Sequence, residues 1–420
     1  MRTESGPEWE SRNASGTMKK NGGLERNGGM EFGARLMELY PDMVAWRRHL
    51  HKHPELSYQE RATSQFAADR LEAFGLEVRR NVGGHGIVAR LRSGRPGPVV
   101  ALRADMDALP IQDEKECEYA SAVPGVMHAC GHDAHTAVLL AVAKLLAASK
   151  EELIGDVVFL FQPAEETTPG GAMPMIRDGA LEGVHVIYGV HLWSPLPTGE
   201  VRSLPGPMMA AADEFTIEIV GKGGHGGLPH ETVDAIAIGS QLVVALQTIV
   251  SRNVDPTQAA VVSVGSFHAG SSFNVIADRC VMTGTVRTFR EEVRELIKGR
   301  LQAIVSQTCA MHGASFRLDY KQGYPPLVND ERETERALRL AGRLFGEERA
   351  DRTPLIMAAE DFAYYLNKVP GCFLLVGAGN QERSITAPHH HPRFDIDEEA
   401  MLTAARLLAE LCLEYQHRRG

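Results

Sequence analysis

Long apolar runs are missing from the 420-residue chain. None approaches the roughly 18 residues needed to cross a bilayer, so no membrane-spanning segment is expected. Blocks of lysine and arginine are missing as well. With a net charge of −10 the chain offers no track for a phosphate backbone, and nucleic acid is not an expected partner. Cysteine is scarce: Cys117, Cys130, Cys280, Cys309, Cys372 and Cys412 show no disulfide-framework spacing. That suits a reducing compartment and a cytoplasmic location. The first residues are polar and rich in Gly, Asn and Ser, without the apolar centre of a signal peptide. The expectation is a disordered tail over 1–29.

What is present is a globular composition, 44% hydrophobic and 23% charged, over a length that favours two domains. From Met30, "MEFGARLMELYPDMVAWRRHLHKHPE" carries apolar residues at helical spacing and should end before Pro54. Ser57 and Glu60 have the spacing of a capping box, opening a helix that Gly75 can close. The apolar runs "GPVVALRAD", "DVVFLFQPAEE", "HVIYGVHLW" and "CFLLVGAG" read as buried strands, and "DAHTAVLLAVAKLLAAS" reads as a helix between the first two. Alternation of this kind indicates an α/β fold with a mostly parallel sheet.

Near Ala212 the pattern changes to β-α-β-β-α-β, from "EFTIEIVGKG" to "SFRLDYKQ", which is the ferredoxin-like unit. Helix and buried strand then resume. The expected organisation is a catalytic domain in two parts, 30–211 and 323–420, with a smaller domain inserted at 212–322.

Chemically unusual residues gather where the predicted strands end. Asp105 and Asp107 follow "VVALR", Glu165 and Glu166 follow "VVFLFQPA", and His191 ends "VIYGV". The run "HACGHDAH" puts Cys130 and His132 just before the long helix, with Asp133 as a plausible N-cap, and His389, His390 and His391 follow the last strand. Cys130 and His132 are spaced too tightly for a structural zinc knuckle. Each feature alone has an ordinary reading: a solvated Glu pair, a hydrogen-bonded histidine, a buried thiol. Their joint placement at the carboxyl edge of a sheet, where α/β proteins bind ligands, points instead to a metal site. Imidazoles, carboxylates and one thiolate suit zinc, manganese, cobalt or nickel. Such a set can hold two ions about 3.5–4 Å apart, the hydrolytic arrangement. The Glu165-Glu166 doublet can supply a ligand and a base.

The motifs "HKHPELSYQE", "RADMDALP", "HACGHDAHTA", "FQPAEE", "GVHLW", "GKGGHGGLPHETVDAI", "SFNVIAD", "GTVRTF", "AEDFAYYL" and "HHPRFD" occur in one order. Together they resemble the metal-dependent amidohydrolases of the aminoacylase/carboxypeptidase clan, in the branch of hippurate hydrolases, N-acyl-amino-acid amidohydrolases and auxin-conjugate hydrolases. The resemblance runs from about residue 40 to 405.

The resemblance implies metal ligands at Cys130, His132, Glu166, His191 and His390, the last as the first histidine of an H-x-P-x-F frame. It implies that Glu165 is the general base, acting on a water held between two divalent ions. Asp105 stands where other members of the clan carry a histidine ligand; Asp107 would support a ligand from behind, and Glu360 should lie close by. In the inserted domain, which resembles a lid and dimerisation domain, His225 would donate to the oxyanion in a partner subunit's site. Asn274 and Arg287 would hold the substrate carboxylate, a task that suits the planar fork of arginine. His230 could cap the following helix.

The implied activity is hydrolysis of N-acyl amino acids, hippurate-like or N-acetyl, by a cytoplasmic homodimer holding two ions per subunit, manganese or zinc first. A dipeptidase or carboxypeptidase of the same clan is the nearer rival. A non-catalytic metal-binding scaffold is the farther one, but this chain keeps every implied ligand and the base. Nucleophilic catalysis by Cys130 is uneconomical, because a metal would occupy the thiolate.

Overall fold

The computed structural model describes residues 25–417, with side chains from Phe32 onward. The first helix, Glu25–Lys52, opens five residues ahead of the expected Met30, and the rest of the expected tail, 1–24, lies outside the described residues. The second helix, Arg61–Ala73, is not opened by a capping box. Ser57 Oγ donates instead to Asp107 at 2.7 Å, and Glu55 takes the free N–H groups of Ala62 and Thr63 at 3.0 and 2.8 Å. Gly75, at φ +84°, does end that helix.

Eight strands form the main sheet, in the order Glu77–Val82, Gly86–Leu91, Val157–Gln162, Val100–Asp105, Val186–Pro197, Gly371–Gly379, Val201–Ser203, Ala350–Arg352. The four central strands run parallel, with antiparallel pairing confined to the flanks. These four are the uninterrupted apolar runs of the sequence, because both faces are covered. Helices Glu25–Lys52, His132–Ala148 and Ala400–Gln416 close one face. On the other, Met175, Phe362, Tyr365 and Phe373 form a second layer. A Cβ at Gly189 would meet the Phe362 and Phe373 rings at 2.8 and 2.9 Å, so glycine is what lets that layer seat.

The inserted domain has its own core. Strands Ala211–Val220, Ala260–Ala269, Arg279–Thr288 and Ser315–Lys321 form an antiparallel sheet in the order second, third, first, fourth. That is the ferredoxin-like arrangement expected. Along the first strand Phe215, Ile217 and Ile219 alternate inward against helices Ala235–Asn253 and Glu291–Met311. Helix Ala235–Asn253 is capped by Asp234, whose carboxylate accepts from Ile236 and Ala237 N–H; His230 sits apart in an exposed turn and caps nothing. Among the described residues this helix alone is long and apolar enough to cross a membrane by composition. Here it packs Ile238, Leu242, Leu246 and Ile249 onto the sheet.

Candidate metal centre

The carboxyl ends of the parallel strands bring the predicted residues together. Cys130 and His132 sit at the mouth of helix His132–Ala148, whose N-cap is Gly131 at φ +91°, a conformation that glycine adopts without steric cost. Asp133 is therefore not the cap. It is buried in the first turn and bound to Arg47 Nε at 2.9 Å and His51 Nδ1 at 2.7 Å.

His132 is oriented from behind. Its Nδ1 donates to the Asp107 carbonyl at 2.9 Å and lies 3.2 Å from Asp107 Oδ1, which leaves Nε2 facing the cluster. Asp107 also accepts from Ser57 Oγ and from Glu166 N at 3.0 Å. His191 donates Nδ1–H to the Leu192 carbonyl at 2.9 Å, so its Nε2 lone pair faces Cys130 Sγ at 3.4 Å. The ligating atoms of Cys130, His132 and Glu166 lie within 4.8 Å of one another, as do those of Cys130, His191 and His389.

The three late histidines separate by contact. His391 accepts from Arg393 N on its own exposed loop. His389 is packed between Trp193 and Phe394, and its Nε2 accepts from Ser194 N at 3.3 Å. That bond puts the ring proton on Nδ1, the atom 3.9 Å from Cys130 Sγ. His390 has φ +64°, an uncommon conformation for histidine, and turns Nε2 to within 3.4 Å of Glu166 Oε1.

Two observations fit this set to cations. His132 Nε2 and Glu166 Oε1 are buried without a hydrogen-bond partner. Such atoms are costly unless something absent from the bare chain pairs them. The charge balance agrees, since Asp105, Glu165, Glu360 and Asp361 crowd around the buried guanidinium of Arg103, with Asp107 and Glu166 gathered at His132. Burial opposes the charge on His132, but Asp105, Asp107 and Glu166 outweigh it and push the ring up to about 10. Burial and the nearby Glu166 and Glu165 hold the Cys130 thiol well above its usual value, which makes it a poor nucleophile unless a cation draws off the proton. Glu165 is raised too, by burial first and then by Glu360, Glu166 and Asp361.

Asp105 and Glu360 lie under the cluster. Asp105 takes Arg103 Nη1 at 2.5 Å and His135 Nδ1 at 2.6 Å; Glu360 takes Arg103 Nη2 at 3.0 Å and is raised to about 8, chiefly by burial. Three supporting residues escape sequence reasoning. His135 spends both nitrogens on Asp105 and on Leu192 N–H, and Arg103 and Asp361 tie Gln162, Glu360 and Asp105 into one net. A charged residue inside an apolar strand, as in "VVALRAD", is the only signal that could have found Arg103.

A cavity of about 470 Å³ opens over the cluster, walled by Trp193, Met209, Ala212, Tyr324, Ala358 and Ala359. His225, Asn274 and Arg287 are not among its lining residues. His225 and Asn274 stand together on the lid, where Gly224–His225 pairs with Val275–Ile276 and both side chains are exposed. Arg287 lies in register with Ala212, half-buried, donating to the Val286 carbonyl and Thr285 Oγ1.

Residues 101–414 match the family described as Peptidase family M20/M25/M40. The chain is 52% identical over 385 residues to the amidohydrolase YhaA of Bacillus subtilis, covering 92% of this chain and 97% of that protein. It is 52% identical over 293 residues to an N-acyl-L-amino acid amidohydrolase of Geobacillus stearothermophilus, covering 70% and 79%. Among solved structures it resembles the YXEP protein of B. subtilis, described as a dinuclear metal-binding peptidase of the M20 family. That likeness has a TM-score of 0.79 and 36% identity, over 90% of this chain and 98% of the other.

Proposed function

The chain belongs to Peptidase family M20/M25/M40 and is a metal-dependent hydrolase of amide bonds, and we propose that it cleaves N-acyl amino acids to a carboxylate and a free amino acid. The observation that carries this reading is the division of labour between two adjacent carboxylates beneath an apolar cavity. Glu166 turns Oε1 to His132 and His390 at 3.9 and 3.4 Å. Glu165, with Oε2 4.0 Å from His132 Nε2, lines the cavity with its carboxyl pushed toward the protonated form. A relative of 52% identity named for N-acyl-L-amino acids supports the substrate class.

Cys130, His132, Glu166, His191 and His390 are our candidate ligands for two divalent ions, manganese or zinc before cobalt or nickel. Such ions, when bound, polarise an amide carbonyl and make water acidic enough to ionise near neutral pH. Glu165 takes a proton from the attacking water and returns it to the departing amine, a role that suits a carboxyl lining the cavity and raised by burial and its acidic neighbours. Trp193, Met209 and the alanines 212, 358 and 359 exclude water from the acyl group. Arg287 and Asn274 hold the substrate carboxylate, and His225 donates to the developing oxyanion.

Because none of these three lines the cavity of its own chain, His225 and its neighbours are assigned to a partner's site in a homodimer formed through the lid. The exposed edge strand Ala260–Ala269, the fully exposed Phe273 and the outward Val244 of the adjoining helix support that surface.

The test is amino-acid release from N-acetyl, N-benzoyl and longer N-acyl amino acids, with dipeptides alongside, after chelation and reloading with each metal. Metal-restored cleavage of the acyl amino acids is expected. Cleavage confined to dipeptides would replace the substrate class, and no cleavage with two ions bound would overturn the reading.

A further inference from the structure

Both connections between the domains pass one place. Gly206–Met209, entering the lid, pairs antiparallel with Leu327–Asn329, leaving it. Just beyond, Ala212 N donates to the Tyr324 carbonyl at 3.2 Å. A Cβ at Gly323 would meet the Ala212 carbonyl oxygen at 2.1 Å, so only glycine allows the two segments to approach this closely. The lid grips the leaving segment through buried charge. Arg294 of helix Glu291–Met311 donates to both carboxylate oxygens of Asp213 and, at 3.0 Å, to the Gly323 carbonyl. Asp213 accepts in turn from Gly323 N at 3.0 Å and from the Tyr320 hydroxyl at 2.7 Å.

From this clamp one side chain reaches the reaction centre. Tyr324 is 5% exposed, and its hydroxyl donates to the main-chain carbonyl of Glu165 at 2.6 Å. Its ring packs edge-on against Tyr364. The same peptide unit is held at its other end, where Glu166 N donates to Asp107 Oδ2 at 3.0 Å. The preceding Ala164 has φ +53°, a strained conformation for alanine, and its N–H is fixed by Glu60 Oε1 at 2.7 Å. These three tethers set the direction in which the Glu165 side chain leaves the backbone. Two come from the catalytic domain, whereas Tyr324 comes from the strap that leaves the lid.

We propose that Tyr324 is a positioning residue that couples the lid to Glu165, holding the Glu165–Glu166 peptide in the orientation that aims the Glu165 carboxylate. The kinetic half of this proposal rests on the reading of Glu165 as the proton carrier; the mechanical half does not. Proton transfer demands hydrogen-bond reach, about 2.6–3.2 Å, so a small rotation of that peptide is felt in turnover and not in substrate binding.

Tyr324→Phe removes the donor and keeps the ring. In the metal-loaded full-length protein, hydrogen–deuterium exchange over 163–167 should quicken about two- to tenfold, the value of one net hydrogen bond. Unchanged exchange overturns the coupling. In the same preparation kcat should fall about tenfold with KM and metal content unchanged. In a Glu165→Gln background the substitution should cost nothing further, because residues acting through one another are not additive. A loss that multiplies with Glu165→Gln, or one confined to KM, overturns the positioning role. Absence of amide hydrolysis in the unaltered protein would sink the functional reading, while the exchange result would still decide the tether.

Discussion

Glu165 and Glu166 share a backbone turn yet face different chemistry, because Ala164 at φ +53° and the Asp107 bond to Glu166 N–H fix how the two side chains diverge. Glu165→Gln keeps the volume and removes the proton carrier. Turnover should fall about 10²–10⁴-fold while mass spectrometry under native conditions still counts two ions per chain; parallel loss of ions and activity would make Glu165 a ligand. Asp107→Ala should act in the opposite sense, since His132 keeps only the main-chain acceptor and Glu166 N–H loses the carboxylate that holds it. Metal affinity should drop about 10–100-fold, with activity recovered at high metal concentration, as measured by titration of the stripped protein. The candidate ligands could be picked out in sequence because Cys130 and His132 stand at the start of a helix, Glu166 follows a buried strand and His191 lies within one, places readable from apolar runs, whereas His390 stands on a loop beyond the last strand. His135, Arg103, Asp361 and Tyr324 were not, because their roles exist only as contacts: His135 to Asp105, Arg103 to Glu360, Asp361 to Gln162, Tyr324 to the Glu165 carbonyl. Spacing does not separate the histidines 389–391; their contacts do, with His389 Nε2 held by Ser194 N–H and its Nδ1 toward Cys130, and His390 Nε2 toward Glu166.

The helix that carries Cys130 and His132 is seated by a second charge network. Buried Arg47, on helix Glu25–Lys52, reaches Asp133 at 2.9 Å, Asp395 at 2.6 Å and Glu398 at 3.2 Å, thereby joining that helix to the loop that bears His389 and His390. Lys115 adds bonds to His51 Nε2 at 2.8 Å and to the Phe394 carbonyl at 3.0 Å. Burial alone would raise the Asp133 carboxyl, yet Arg47 and His51 outweigh it and hold it well below the usual carboxylate range. A folded-state pKa below the unfolded one means the contribution is present above about pH 4 and is lost as pH falls through the folded value. Arg47→Met takes the guanidinium from Asp133, Asp395 and Glu398, leaving buried Asp133 with His51 alone, and should cost about 3–5 kcal/mol at neutral pH, read by urea unfolding. Without Arg47 the buried Asp133 carboxyl rises, so the gap should begin to narrow as pH falls through the variant's raised value and go on narrowing toward the low value of the unaltered protein. At this scale the sequence misleads where a residue suited to capping has a long-range partner: Asp133 pairs with Arg47, and Ser57 with Asp107, so glycine and Glu55 do the local work.

For the molecule as a whole, the second sheet was readable because a half-exposed sheet alternates while a covered one does not, and the change falls near Ala212, where strand Ala211–Val220 begins. What one chain hides is where the lid's polar residues work. His225 is exposed on the lid, with Nδ1 accepting from Gly227 N at 3.0 Å, and it is not part of the wall around the metal cluster. If it serves a partner's site, two inactive chains should repair one another. His225→Ala and Glu165→Gln would each abolish activity alone. In a mixed dimer the subunit that keeps Glu165 receives an intact His225 from its partner, while the other site lacks both. After subunit exchange at equal amounts, half of the dimers are mixed and each has one working site of two, so activity should return to about a quarter of the unaltered level. No recovery, despite exchange shown by differently tagged chains, would place His225 in its own subunit's site and require the lid to close onto it.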